Sequence, residues 1–265
     1  MSVASEPNKT PDSSGAAKKT SKDGGIGELV KIIVHAFVIA AVVRTLLFQP
    51  FNIPSGSLIP TLLVGDYVMV SKYSYGWSRF SVPFSPSFLP SGRLWGTPPK
   101  RGDIAVFKLP KDNSTDFIKR VIGLPGDHIQ MKGGRLFING VMAPREPAGT
   151  FPMKDSFGRD IQVPLYTETL PNGVKHVVME INGDNGYYDN TDEYVVPPDH
   201  YFMMGDNRDN SDDSRDLNEV GYVPFDNFVG KGQIIFFSVS DDESPLKFWL
   251  WPWTVRLNRL MSFIH

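Results

Sequence analysis

The chain contains no cysteine. This excludes a disulfide framework, a thiol nucleophile and thiolate metal sites. Net charge is also small, with 27 Lys and Arg set against 29 Asp and Glu in interleaved order. No basic face therefore marks nucleic acid as a partner. A Gly-x-Gly-x-x-Gly turn and a phosphate-binding loop are both missing, and with them the usual cradles for dinucleotides and triphosphates. No internal repeat is visible. Histidine is scarce, at positions 35, 128, 176, 200 and 265, and none of the five has a recognisable catalytic setting.

Long apolar runs are absent with one exception. Residues 1–25 are Ser, Lys, Gly, Thr and Pro with almost no large apolar side chains, a composition that cannot bury enough surface to order itself. A disordered cytoplasmic tail is expected there. Leu29 to Phe48 then reads LVKIIVHAFVIAAVVRTLLF. Twenty helical residues span about 30 Å, the thickness of a hydrocarbon core, so a transmembrane anchor is expected over 26–49. Lys31 and Arg44 lie near its two ends, where long cationic side chains snorkel. Lys9, Lys18, Lys19, Lys22 and Lys31 precede or enter the span, and after Arg44 the next basic residue is Lys72. Positive charge stays inside, which places the N-terminus in the cytoplasm and residues 51–265 outside.

Beyond the anchor the pattern is β. Residues alternate over Asp66–Lys72, Asp103–Lys108, Phe117–Ile122, His128–Met131, Arg135–Ile138, His200–Met203 and Gln233–Val239. Turn formers such as Leu124-Pro125-Gly126-Asp127, Lys132-Gly133-Gly134 and Asn139-Gly140 separate them. The expected fold is mainly β: a catalytic core of 50–142 and 195–265, with the more polar stretch 143–194 inserted as a smaller β subdomain. Two aromatic regions, 77–95 and 248–264, admit either packing against the core or contact with the outer leaflet. In the second, Leu257, Leu260, Met261 and Ile264 recur at helical spacing beside Arg256 and Arg259.

Three clusters carry candidate chemistry. Pro54-Ser55-Gly56-Ser57 sits between prolines just past the anchor. A serine hydroxyl needs a base to become a nucleophile, and a histidine brought close by the fold would serve. Lysine is the other candidate. In Phe117-Ile118-Lys119-Arg120-Val121-Ile122, strand alternation puts Phe117, Lys119 and Val121 on one apolar face and turns Arg120 to water. Desolvation lowers a lysine from about 10.4 by up to roughly 3–5 units, which frees an amine to accept a proton near neutrality. The third cluster, Met204 to Arg215, is dense in turn formers and short polar side chains. It lacks the glycine and terminal glutamate of an EF-hand loop. A hydroxyl such as Ser211 could hold a lysine amine, and Asp213 could pair with Arg215.

Taken together, PSGSLIPTLLVGDYVMVSKYSYG (54–76), RGDIAVF (101–107), FIKRVIGLPGD (117–127) and GDNRDNSDDSR (205–215) resemble the bacterial type I signal peptidase family over most of residues 30–240. The resemblance implies a membrane-bound serine endopeptidase that removes signal peptides at Ala-x-Ala sites. It further implies Ser57 as nucleophile and Lys119 as general base, with Ser55 and the Ser57 N–H at the oxyanion. Ser211 is then expected to orient the lysine, with Asp213 and Arg215 as a supporting ion pair and Gly205 as a packing position. No cofactor or metal is implied. The expected partners are exported preproteins and membrane lipid. Only one span is found, where some members have two. Rival readings are a repressor-type or conjugation-type Ser/Lys peptidase, a histidine-based hydrolase, and a non-catalytic membrane-tethered β domain.

Overall fold

The computed structural model describes Met1 and residues 25–82, 85–86, 88–155, 157–240 and 247–264. The expected tail therefore lies, apart from its two end residues, outside the described residues, as does Phe84 of the first aromatic region. One apolar helix, α1 (Gly25–Leu46), carries a mean hydropathy of 2.2 and buries none of its window within the protein. Apolar side chains on every face are what a helix in lipid requires. The chain leaves the helix at Leu46, three residues before the expected end of the anchor, and enters a strand at Phe48.

Residues 41–265 cluster as one compact unit. Its strands are β1 (Phe48–Asn52), β2 (Asp66–Ser71), β3 (Ile104–Lys108), β4 (Asp116–Gly123), β5 (His128–Lys132), β6 (Arg135–Ile138), β7 (Val141–Met142), β8 (Arg145–Lys154), β9 (Asp160–Thr169), β10 (Lys175–Met179), β11 (Tyr194–Val195), β12 (His200–Met204), β13 (Val223–Pro224), β14 (Phe228–Ser238) and β15 (Ser262–Phe263). Each alternating segment read from the sequence falls on one of them. The largest sheet runs β1-β2-β14-β3-β4-β12-β13, with β15 also on β14; β11-β5-β6-β7 form a second sheet and β10-β9-β8 a third. Every ladder is antiparallel.

Both faces of the large sheet are covered. Val68, Val70, Ile104, Val106 and Ile235 pack with Leu58 and Leu62 on one side, while Ala105, Phe107, Val121, Met203 and Phe228 pack with Tyr75 and Tyr201 on the other. This corrects the expectation for Arg120, which does not reach water. It is fully buried, and its Nε and Nη2 donate to Asp206 Oδ1 and Oδ2 at 2.8 and 2.7 Å.

The C-terminal region also departs from its pattern. In place of an amphipathic helix, residues 248–264 form a short turn of helix, α2 (Trp251–Thr254), two 3₁₀ turns and β15. The basic residues turn inward. Arg259 Nε donates to buried Asp66 Oδ1 at 3.0 Å and its Nη2 to the Thr61 carbonyl at 2.9 Å, while Arg256 Nη1 meets the Val64 carbonyl at 2.9 Å. Sheet pairing and a buried carboxylate outweigh a weak helical stripe. The consequence is that the C-terminus braces residues 61–66, which follow Ser57. Gly65, at φ +86°, makes that turn possible; a Cβ there would come within 2.3 Å of the Val239 carbonyl oxygen.

In the first aromatic region, Trp77 Nε1 donates to the Leu46 carbonyl at 2.8 Å and Trp77 meets Trp95 edge-on. A groove of about 640 Å³ opens there between Leu46, Trp77, Val82, Leu89, Leu94 and Trp95, and Phe88, Leu94 and Trp95 are exposed.

Candidate active site

The first element of the site is the loop between β1 and β2. Ile53 and Leu58 are buried in the core, and they frame a short turn in which Pro54 and Ser55 are exposed and Gly56 is half-buried. Ser57 itself is 7% exposed. Its N–H donates to no acceptor among the described residues, while its carbonyl accepts from the Asn207 N–H at 3.1 Å. Asn207 Nδ2 holds the Gly56 carbonyl at the same distance. Ser55 lies exposed beside it, and its hydroxyl makes no hydrogen bond among the described residues.

The second element is β4. Lys119 pairs with Ala105 of β3, and on the other side Met204 of β12 pairs with Arg120, so the next residue, Gly205, comes alongside Lys119. Lys119 is 4% exposed. Its Nζ lies 5.7 Å from the centre of the Phe117 ring and makes no hydrogen bond or ion pair among the described residues. Burial lowers it to about 8; Asp213, Asp212 and Asp206 pull the other way and Arg215 adds to the lowering. Lys119 is thus buried as its strand position predicts, while Arg120 is buried too, because a covered sheet has no water face on either side.

The third element is the loop from Gly205 to Arg215. Gly205 joins it to the other two. A Cβ on this residue would lie 2.2 Å from Ser211 Oγ and 2.5 Å from the Ser57 carbonyl oxygen, so any side chain would have to push the two apart. The Gly205 N–H donates to Asp213 Oδ2 at 3.0 Å. Arg215 grips Asp213 through Nε and Nη2 at 2.8 and 2.9 Å, and also donates to the Arg208 carbonyl at 2.7 Å. Burial would raise Asp213, but Arg215 outweighs it and keeps the carboxylate below its ordinary range. Ser211 Oγ is buried with no hydrogen-bond partner among the described residues. An unpaired buried hydroxyl is costly unless a reacting group uses it.

Ser57, Lys119, Gly205, Ser211, Asp213 and Arg215 thus converge, and Ser55 sits at the rim. The histidines do not join them. His128 pairs with Glu193 at 3.0 Å, His200 with the Pro198 carbonyl at 2.7 Å, and buried His176 lies 3.4 Å from Glu168. Sequence reasoning missed the layer beneath. Asp206 takes Arg120 and, at 2.6 Å, the Thr61 hydroxyl. Arg208 lies against both oxygens of Glu168 on β9. The density of Asp, Asn and Arg in 206–210 was the only available signal, and its partners lie 40 or more residues away.

The family model described as "Signal peptidase, peptidase S26" matches residues 26–237. The chain belongs to the bacterial signal peptidase I family. A signal peptidase I of Rickettsia conorii is 42% identical over 248 residues, covering 87% of this chain and 91% of the relative. One from Rickettsia canadensis is 39% identical over 263 residues, covering 93% and 97%. A solved signal peptidase I from Enterococcus faecalis V583 is 25% identical and covers 51% of this chain and 97% of its own; its TM-score of 0.29 is too low to bear on the fold. Like its family, the chain is a membrane serine endopeptidase that cleaves signal peptides through a Ser/Lys dyad. It is a single-pass protein of the bacterial inner membrane, with its catalytic domain on the periplasmic side. Exported preproteins and membrane lipid are its partners.

Proposed function

We propose that Ser57 and Lys119 are the dyad, and that they cut preproteins after Ala-x-Ala sites. The observation that carries this reading is the buried Lys119 amine, lowered to about 8 and without a partner among the described residues, beside the glycine that touches both Ser57 and Ser211. Neutral Lys119 Nζ takes the Ser57 Oγ proton, and Oγ attacks the scissile carbonyl. The oxyanion receives the Ser57 N–H and the Ser55 hydroxyl. Losing one such donor costs about 10²–10³ in rate. The Lys119 ammonium then protonates the leaving amine, and the neutral amine next activates water to release the acyl-enzyme. Ser211 Oγ orients Nζ, while Asp213 and Arg215 hold the loop that presents it. The catalytic core comprises 50–142 and 195–265, with 143–194 as the inserted subdomain. The exposed Phe88, Leu94 and Trp95 face the outer leaflet, and confinement to one membrane raises the effective concentration of enzyme and substrate.

The test is cleavage of a purified preprotein in detergent by the wild type, Ser57→Ala and Lys119→Ala. A single cut after the site, with both folded variants inactive, is expected. If the wild type reacts with an acylating probe at Ser57 and leaves the preprotein whole, the substrate assignment fails while the chemistry stands.

A further inference from the structure

Three carboxylates converge that play no part in the dyad. They are Glu180, just past β10, Asp189 in the segment that follows, and Asp209 in the 205–215 loop. One oxygen of each lies within 4.8 Å of one oxygen of each of the others. Glu180 and Asp189 are buried. Arg145 Nη1 holds Glu180 Oε1 at 2.6 Å, but Oε2 is buried with no hydrogen-bond partner among the described residues. Asp189 Oδ2 accepts the Gly186 N–H at 2.5 Å, and Asp209 Oδ2 accepts the Asn182 N–H at 2.7 Å. Gly186 closes the cluster, since a Cβ there would lie 1.9 Å from Asp209 Oδ1 and 3.2 Å from Asp189 Oδ2.

The nearby guanidinium groups each hold another carboxylate as well. Arg145 is shared with Asp184 at 2.9 Å, Arg208 serves both oxygens of Glu168, and Arg215 grips Asp213. Of these guanidinium groups only Arg145 donates a hydrogen bond to the three carboxylates among the described residues, and Glu180 Oε2 has no partner among them. Buried like charges of this kind take up either a proton or a cation.

We propose that Glu180, Asp189 and Asp209 bind a divalent cation of the calcium type, which staples the 180–189 segment to the loop carrying Ser211 and Asp213. The donors are all carboxylate oxygens, which suit hard cations. Two ligands of one calcium ion stand at most about 4.6–5.2 Å apart, twice the usual bond of about 2.3–2.6 Å, so the present spacing accommodates it. The smaller magnesium ion demands a tighter octahedron. Sites outside the cytoplasm commonly hold calcium at about 10⁻⁴–10⁻³ M.

The test uses the full-length enzyme in detergent, stripped with EDTA and dialysed. Calcium chloride at about 5 mM is expected to raise the thermal midpoint by about 3 °C, a size set by the usual slope for a domain of this length. Terbium chloride alone is expected to give tyrosine-sensitised luminescence, through Tyr187 and Tyr188, that calcium displaces. Both signals should vanish in Asp209→Asn, which keeps an acceptor for the Asn182 N–H, and in Glu180→Gln, which keeps one for Arg145. No midpoint shift and no luminescence in the wild type overturns the proposal. So does a response that survives in both variants.

Discussion

Two lysines are buried in the catalytic unit, and both are lowered to about 8. Lys72, 1% exposed, donates Nζ to the Ser81 carbonyl and anchors the 3₁₀ turn Arg79–Ser81. Burial lowers it first, and the Arg44 charge adds to the effect. Lys119 is lowered by burial too, but its nitrogen has no partner among the described residues and stands beside Gly205, Ser211 and Ser57. Desolvation alone therefore does not make a base. A neutral amine becomes one when its nitrogen is uncommitted and a hydroxyl shares the same pocket.

The contrast breaks most visibly on substitution. Lys119→Met is expected to lower kcat/KM by about 10⁴-fold or more, the usual scale for a lost member of a catalytic dyad or triad, whereas Lys72→Met should stay within about threefold. Equal losses in a steady-state assay of folded protein would sink the distinction. Gly205→Ala comes next. Its Cβ would displace Ser211 or the Ser57 backbone, and a displacement of about 1 Å costs about 10²-fold, read as a fall in kcat in a protein that still folds.

The pH profile sharpens the same point. A base whose proton leaves at about 8 is mostly protonated at pH 6, so kcat/KM should climb about tenfold per unit up to about pH 8 and then level off. Lys72→Met should leave that profile unmoved, and a shifted midpoint would show that Lys72 is coupled to the dyad. The smallest effect is on stability. Removing the Lys72 amine leaves the Ser81 carbonyl unpaired but also removes a buried cation, so the net change should be about 1 kcal/mol, a midpoint fall of about 2–4 °C in a thermal melt.

Much of this was legible in the chain. The strands of the large sheet follow from alternation, and the span follows from one apolar run with lysines on its inner side. The burial of Lys119 follows from its place between Phe117 and Val121. Arg120 was misread because alternation assigns residues to two faces and says nothing about whether both are covered; Asp206, 86 residues on, decides that. The C-terminal stripe, for which packing and leaflet contact both stood open, was undecided for a related reason. Its apolar spacing suits a helix, yet β14 offers an edge to Ser262 and Phe263, and Asp66 offers a carboxylate to Arg259.

The anchor and its orientation, the antiparallel β class, and the residue types and order from which a serine–lysine site could be built are all written along the chain. These follow from local rules of hydropathy, periodicity and turn chemistry, which act over a few residues. Which partners those residues meet was settled by the folded arrangement. It set Gly205 between Ser57 and Ser211, buried Arg120 on Asp206, committed Lys72 to a carbonyl while leaving Lys119 free, and gathered Glu180, Asp189 and Asp209. Each of those outcomes depends on contacts between segments far apart in the chain, and burial and charge neutralisation are fixed only when the sheets close.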